Sequence, residues 1–241
     1  MDQAGLLERL RAVQDRVGEA CAGIGRDPAE IVIVAVTKGH AAQTLVAALE
    51  SGLHQIGENR VAEAMEKFSA AAAPLERHGA TRHMIGHLQR NKTRDAVAAF
   101  DWIQSVDSAR LARALSGRVR EVGRTLPVLI EVNAGGEEQK HGFGVDEALE
   151  RAAEIAELPG LSLRGLMTMA PLTDDERLLR ETFGRARALF ERMADLGDPL
   201  GGRPDTLSMG MSNDYPIAVE EGSTMLRLGT ALFGSPTGNG S

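Results

Sequence analysis

The residues best suited to chemistry are a lysine at the end of an apolar run and two glycine-and-hydroxyl clusters late in the chain. The run is Ile31-Val32-Ile33-Val34-Ala35-Val36-Thr37, and Lys38 follows at once. Its mostly β-branched content reads as a strand buried on both faces. α/β proteins place their chemistry at the carboxyl ends of such strands, and a lysine stem can carry an amine to a small ligand. Taken alone, the run fits a solvated lysine better than a reactive one. The clusters are Leu207-Ser208-Met209-Gly210-Met211-Ser212-Asn213-Asp214 and Leu226-Arg227-Leu228-Gly229-Thr230. Gly210 and Gly229 let backbone approach an anion, Ser208, Ser212 and Thr230 offer hydroxyls, and N–H groups opening a short helix after Ser212 favour negative charge. Each cluster alone is an ordinary glycine turn; together they describe a phosphate cradle.

Alternating strands and helices would position these residues. Leu6, Leu7, Leu10, Val13, Val17, Cys21 and Ile24 recur at three- and four-residue steps and predict an opening helix within residues 1–25. Strands are predicted at 31–38, 54–59, 81–86, 102–106, 127–133, 161–169, 206–208 and 224–228. Between them, helices are predicted at 41–51, 60–72, 89–100, 108–122, 146–157, 173–197 and 214–222. Eight strand-helix units with short connections predict one α/β domain over residues 1–241, a (β/α)8 TIM barrel closed by the final strand, with a frayed tail at 234–241. No glycine-rich dinucleotide fingerprint follows the first strand, which disfavours a doubly wound open sheet.

Composition narrows the function. With 43% hydrophobic and 25% charged residues the chain reads as an ordinary globular protein. Aromatics at 3% and a net charge of −7 argue against a nucleic-acid binder while leaving room for a local basic pocket. A single cysteine, Cys21, excludes an intramolecular disulfide and disfavours a thiolate metal site. The amino-terminal residues show no signal peptide and no run approaches a membrane span, so a cytoplasmic protein without membrane partners is expected.

In a closed barrel the first and last strands are neighbours, so Lys38 would stand beside the phosphate cradle. A lysine near other cations or removed from water can be a neutral amine that adds to an aldehyde. A phosphorylated aldehyde gripped by both features is pyridoxal 5′-phosphate. Arg227 on the last strand could face the pyridine nitrogen, or pair with a carboxylate on the barrel exterior.

Several segments resemble the pyridoxal phosphate homeostasis protein family (YggS/PROSC group). They are Val36-Thr37-Lys38, Gly57-Glu58-Asn59, His83-Met84-Ile85-Gly86 with Leu88-Gln89 and Asn91-Lys92, Gly165-Leu166-Met167, Leu207 to Ser212, and Gly222-Ser223-Thr224-Met225 with Gly229 to Gly234. The resemblance implies an alanine-racemase-type N-terminal barrel with an extra N-terminal helix and no C-terminal β domain. It also implies that Lys38 forms an internal aldimine, that Arg227 faces the pyridine nitrogen, and that Ser208, Gly210, Ser212, Gly229 and Thr230 surround the phosphate, with Met211 also binding the cofactor and Asn59 lining the pocket. Two positions depart from the family: Arg82 stands where an aromatic is usual, and Gly39-His40 where a proline often follows the lysine. Residues 135–142 resemble the family's lysine-glycine loop and read equally as a mobile cover or a solvated connection.

Other candidates are weaker. His83 and His87 have a metal spacing only on a helix, which Gly86 and the strand-like Met84-Ile85 oppose, so no metal is expected. Glu58 and Glu131 at strand ends could form an acid/base pair or balance nearby cations. Met167, Met169, Met209, Met211 and Met225 are expected as a soft lining. Racemisation needs proton carriers on both faces of the cofactor, and the sole tyrosine, Tyr215, is poorly placed for the second face. The expectation is therefore a monomeric carrier of pyridoxal 5′-phosphate, with apo-enzymes that need the cofactor as its partners. A small amino-acid racemase or lyase is the alternative, and a Schiff-base enzyme acting on a phosphorylated sugar a third reading.

Overall fold

The computed structural model describes residues 3–137, 141–196 and 204–236. A long helix, α1 (Gln3–Ile24), precedes eight parallel strands: β1 (Val32–Val36), β2 (Gln55–Glu58), β3 (Thr81–Met84), β4 (Trp102–Val106), β5 (Leu126–Glu131), β6 (Leu161–Met167), β7 (Thr206–Ser208) and β8 (Met225–Leu228). They close in chain order into the expected barrel. Parallel neighbours need crossovers, supplied by α2 (Ala42–Glu50), α3 (Val61–Ala70), α4 (Ala72–Arg77), α5 (Thr93–Ala99), α6 (Ala109–Glu121), α7 (Ala148–Ala156), α8 (Glu176–Leu196) and α9 (Tyr215–Glu220), with α10 (Thr230–Phe233) after the last strand.

Closure falls between β1 and β8, in the register Val32↔Met225, Ile33↔Leu226, Val34↔Arg227 and Ala35↔Leu228. Strand β1 is shorter than its apolar run. Val32 is exposed and Ile33 half-buried, so burial on both faces begins only at Val34, and Thr37 and Lys38 lie past the strand's end. The seam is flanked by α1, whose Leu6, Leu10, Val13, Val17, Ala20 and Cys21 are buried. Leu7 and Ile24, expected on the same stripe, are exposed instead. The helix packs on α9 and α10, and Arg9 Nε donates to the Leu232 carbonyl (2.8 Å) while Arg26 Nη1 donates to that of Ser223 (2.8 Å). It thereby holds the elements that follow β7 and β8.

The helix expected over residues 60–72 breaks at Ala71 into α3 and α4. Pro74 explains the break: it has no N–H for the Ala70 carbonyl, yet fits the first turn of a new helix. Residues 90–92 form a 3-10 turn before α5. Ser108 caps α6 by accepting from Leu111 N (3.3 Å). Among the described residues no helix is long and apolar enough to cross a membrane. The expected end of the helix after β6 at residue 197, and most of the tail from residue 237 on, lie outside the described residues.

The largest fully buried side chains include Phe100, which meets Phe68 edge-on at 5.6 Å between ring centroids. Phe100→Ala is expected to lower unfolding free energy by about 3–5 kcal/mol. Val122→Ala, at a 61% exposed position, should change it by less than about 0.5 kcal/mol in the same urea titration.

Candidate functional site

Lys38 is exposed, and among the described residues it has no hydrogen-bond or ion-pair partner, yet the backbone on either side of it is fixed. Before it, the Thr37 carbonyl accepts from the buried Lys67 ammonium (2.5 Å), and the Thr37 hydroxyl donates to Glu58 Oε1 (2.5 Å). After it, Gly39 N donates to Glu63 Oε1 (2.7 Å). Lys67 Nζ binds both carboxylates, Glu58 at 2.8 Å and Glu63 at 2.7 Å. One ammonium therefore fixes both neighbours of a free lysine. Burial pushes the Glu58 carboxyl above its ordinary range against the bonds from Lys67 and Thr37. At Glu63 burial acts in the same direction, but the bonds from Lys67 and Gly39 outweigh it and hold the carboxyl low. The sequence reading missed Lys67 and Glu63; their only local signal is an i,i+4 acid-base pair on the helix after β2. Glu58 belongs to this clamp and not to an acid/base pair with Glu131.

A second polar chain crosses the barrel interior. Gln55 Oε1 meets His83 Nε2 (2.7 Å), and Gln104 Nε2 lies 3.0 Å from His83 Nδ1. An amide NH2 facing Nδ1 makes that nitrogen the acceptor and leaves the ring proton on Nε2. Burial lowers the His83 pKa to about 4, so the ring is neutral. Ser208 Oγ donates to Gln104 Oε1 (2.7 Å) and accepts from Arg227 Nη1 (2.7 Å), while Arg227 Nη2 donates to the Thr168 carbonyl (2.8 Å). Arg227 is thus held on the barrel interior, away from the exterior carboxylate that was its other reading. Burial brings its pKa down to about 10, with Asp214 and Glu131 opposing, so it remains a cation at neutral pH.

Above this chain lies a cavity of about 230 Å³. Seven of the nine expected cofactor residues line it: Lys38, Asn59, Met211, Ser212, Arg227, Gly229 and Thr230. Ser208 and Gly210 lie beneath the lining. The Ser208 hydroxyl is taken up by Gln104 and Arg227, and Gly210, at φ +96°, would bring a Cβ to 2.6 Å from the Ala218 methyl, so it serves the tight turn itself. Ser212 Oγ accepts from Ala231 N (3.0 Å), which leaves its O–H to donate elsewhere. Asn59 is on the cavity's lining, and its Oδ1 is buried without a hydrogen-bond partner. Of the expected methionine lining only Met169 and Met211 reach the cavity; Met167, Met209 and Met225 pack inside the protein. Val36, Ile85, Pro171, Leu172, Thr173, Asn213 and Asp214 complete the wall; Asn213 and Asp214 belong to the late hydroxyl cluster singled out in the sequence, whereas Pro171 and Leu172 had no signal beyond their place in a loop after a strand. In the loop over residues 135–142, residues 138–140, Lys140 among them, lie outside the described residues.

A sequence model described as "Alanine racemase, N-terminal domain" matches residues 9–236. A pyridoxal phosphate homeostasis protein of Escherichia coli (strain K12) is 38% identical over 230 residues, covering 95% of this chain and 96% of that protein. The chain belongs to this pyridoxal phosphate homeostasis family. Two solved structures agree with that membership over nearly the whole length. An unknown protein from Bifidobacterium adolescentis superposes with a TM-score of 0.89 at 34% identity, covering 97% of each chain. PipY of Synechococcus elongatus, solved with PLP bound, superposes with a TM-score of 0.81 at 33% identity, covering 95% of this chain and all of that one. The family's barrel and the opening helix are both present here.

Two predictions follow from the buried charges. Burial, aided by Asp107 and opposed by Arg227 and His87, raises the Glu131 pKa from 4.5 to about 7. The folded state then binds this proton more tightly than the unfolded chain, so its stabilising contribution is complete below pH 4.5 and is lost as pH rises to about 7. Glu131→Gln should therefore gain stability relative to the parent across that window, by up to about 3 kcal/mol at its upper end, in urea titrations from pH 5 to pH 8. Lys67→Met leaves Glu58 as a buried charge without its counter-ion and should cost about 3–5 kcal/mol, most of it recovered in Lys67→Met/Glu58→Gln.

Proposed function

We propose that this protein binds pyridoxal 5′-phosphate and serves vitamin B6 homeostasis in the cytoplasm, holding the cofactor through Lys38 with little turnover of amino acids. One observation carries this reading: a free lysine amine, a buried arginine and a hydroxyl-and-glycine turn share one cavity, beside an orphaned amide oxygen. These residues fit the group. When bound, the cofactor supplies an aldehyde carbon and an electron-accepting pyridine ring. Lys38 would supply the amine that condenses with that aldehyde, the carbonyl oxygen leaving as water. Arg227 would donate to the ring nitrogen from an N–H that Ser208 and Thr168 leave free; as a lasting cation it would keep that nitrogen unprotonated and weaken the ring's pull on electrons. Ser212, Gly229 and Thr230 would hold the phosphate, with Met211 and Asn59 lining the space left for the ring. Ser208 orients Arg227 from below.

The carrier reading is favoured over racemisation by the placement of acids and bases. Tyr215 is buried, with the Arg16 guanidinium 5.9 Å from its ring centroid, and is not on the lining. Asp214, the lining's one carboxyl group, already accepts from Met211 N (2.5 Å). Asp214, tied to the backbone of its own loop, is thus the one carboxyl group on this lining that could serve the opposite face of a substrate, and no tyrosine stands there. We propose a monomer whose partners are apo-enzymes that take up the cofactor.

Titration of purified protein with pyridoxal 5′-phosphate should produce a violet absorption band at one equivalent per chain. Lys38→Ala should abolish the band, and Asn59→Ala should weaken binding about tenfold, the loss of roughly one hydrogen bond. A parent protein that gives no band overturns the proposal. Chiral chromatography of alanine and serine after prolonged incubation with loaded protein should show no racemisation, and racemisation abolished by Lys38→Ala would establish the enzyme instead.

A further inference from the structure

We propose that His87, Asp107 and His141 form a binding site for a divalent transition-metal ion at the mouth of the barrel. The three residues come from the segments that follow β3, β4 and β5, and one potential ligand atom from each lies within 4.8 Å of the others. The edge between His87 Nδ1 and Asp107 Oδ2 is already 2.9 Å. Metal–nitrogen and metal–oxygen bonds of about 2.0–2.2 Å put neighbouring ligands about 3–3.5 Å apart, so this edge is close to coordination distance. The two imidazoles stack at 4.1 Å between centroids and 15° between planes, which keeps His141 beside His87; because stacked rings send their in-plane lone pairs side by side, binding requires the exposed His141 ring to turn toward the ion.

His83, the i,i+4 neighbour of His87, takes no part, because its ring is consumed inside the barrel by Gln55 and Gln104. The second histidine comes from 54 residues further along the chain. Its backbone is anchored beside the site: Phe143 N donates to the Glu131 carbonyl (2.8 Å), and Asn133 N donates to that of Phe143 (3.0 Å). Between them Gly142 adopts φ +108°, where a Cβ would fall 2.9 Å from the Glu131 carbonyl oxygen. The turn carrying His141 is therefore tied to the end of β5 without any metal.

Two imidazoles and one carboxylate are a borderline donor set suited to Zn²⁺, Co²⁺, Ni²⁺ or Cu²⁺ more than to Mg²⁺ or Ca²⁺. Three protein ligands leave a fourth position for water or a ligand atom. Binding requires the His87 Nδ1 proton, shared with Asp107, to leave or move to Nε2 so that the lone pair faces the metal. The bound ion would join three successive mouth segments, a function separate from the Lys38 cavity.

The test uses the full-length, cofactor-free protein with Zn²⁺ and Co²⁺ as probes. Competition with a chromophoric chelator should give one equivalent of Zn²⁺ per chain, and Co²⁺ should give the intense visible bands of a four- or five-coordinate site. His87→Ala and His141→Ala should each lower Zn²⁺ affinity at least tenfold. Both positions are exposed, and circular dichroism verifies the fold of each variant. His78→Ala, which removes the other stacked histidine pair (His54–His78, 5.8 Å), should bind as the parent does. Overturning results are no stoichiometric Zn²⁺ binding by the parent, only six-coordinate Co²⁺ bands, or affinity unchanged in the His87 and His141 variants.

Discussion

The pairing of β1 with β8 is the constraint on which the site depends. In an open sheet with the same chain order the first and last strands would be the two most distant elements; in this closed barrel they are hydrogen-bonded neighbours. The Val34↔Arg227 register then fixes which residues meet. It places Lys38, just beyond the end of β1, beside Arg227 and the Gly229–Thr230 turn that follows β8. A helix whose apolar face is pressed onto α9 and α10 secures this seam, which explains why a long opening helix belongs to a barrel that is topologically complete without it.

Around the seam two polar chains divide the work. The Lys67, Glu58, Glu63 and Thr37 clamp fixes the backbone that carries the free amine, while the Gln55, His83, Gln104, Ser208 and Arg227 chain sets the direction of a buried cation. Desolvation of these groups is unfavourable on its own, and each chain answers it by pairing nearly every donor and acceptor. The unpaired atoms are informative for the same reason. Glu58 Oε2 is left over inside the clamp, whereas Asn59 Oδ1 is left over on a residue that lines the cavity, where a ligand could supply the missing partner.

Much of this was legible in the sequence because barrel chemistry sits at strand ends, and Lys38, Arg227, Gly229 and Thr230 stand at the ends of apolar runs. The barrel itself was readable from eight repeats of one pattern. What escaped was set by contacts distant in sequence. Ser208 looks like a phosphate hydroxyl until Gln104, contributed by β4, claims it, and Lys67 looks like a solvated helix residue until Thr37 and Glu58 fold onto it. The break at Ala71 had a local sign in Pro74, which an alanine-rich run obscured. His87 was weighed only with His83, its neighbour in sequence, whereas its neighbour in space is His141.

The central claim is that one amine at the end of β1 meets the cofactor held by the turns after β7 and β8. The chain has only four lysines, Lys38, Lys67, Lys92 and Lys140, so the claim can be read directly by borohydride reduction of the protein loaded with pyridoxal 5′-phosphate, followed by peptide mass spectrometry. The account predicts a single stable adduct on the peptide containing Lys38. Stoichiometric labelling of Lys67, Lys92 or Lys140 in place of Lys38, or no adduct at all, would contradict it.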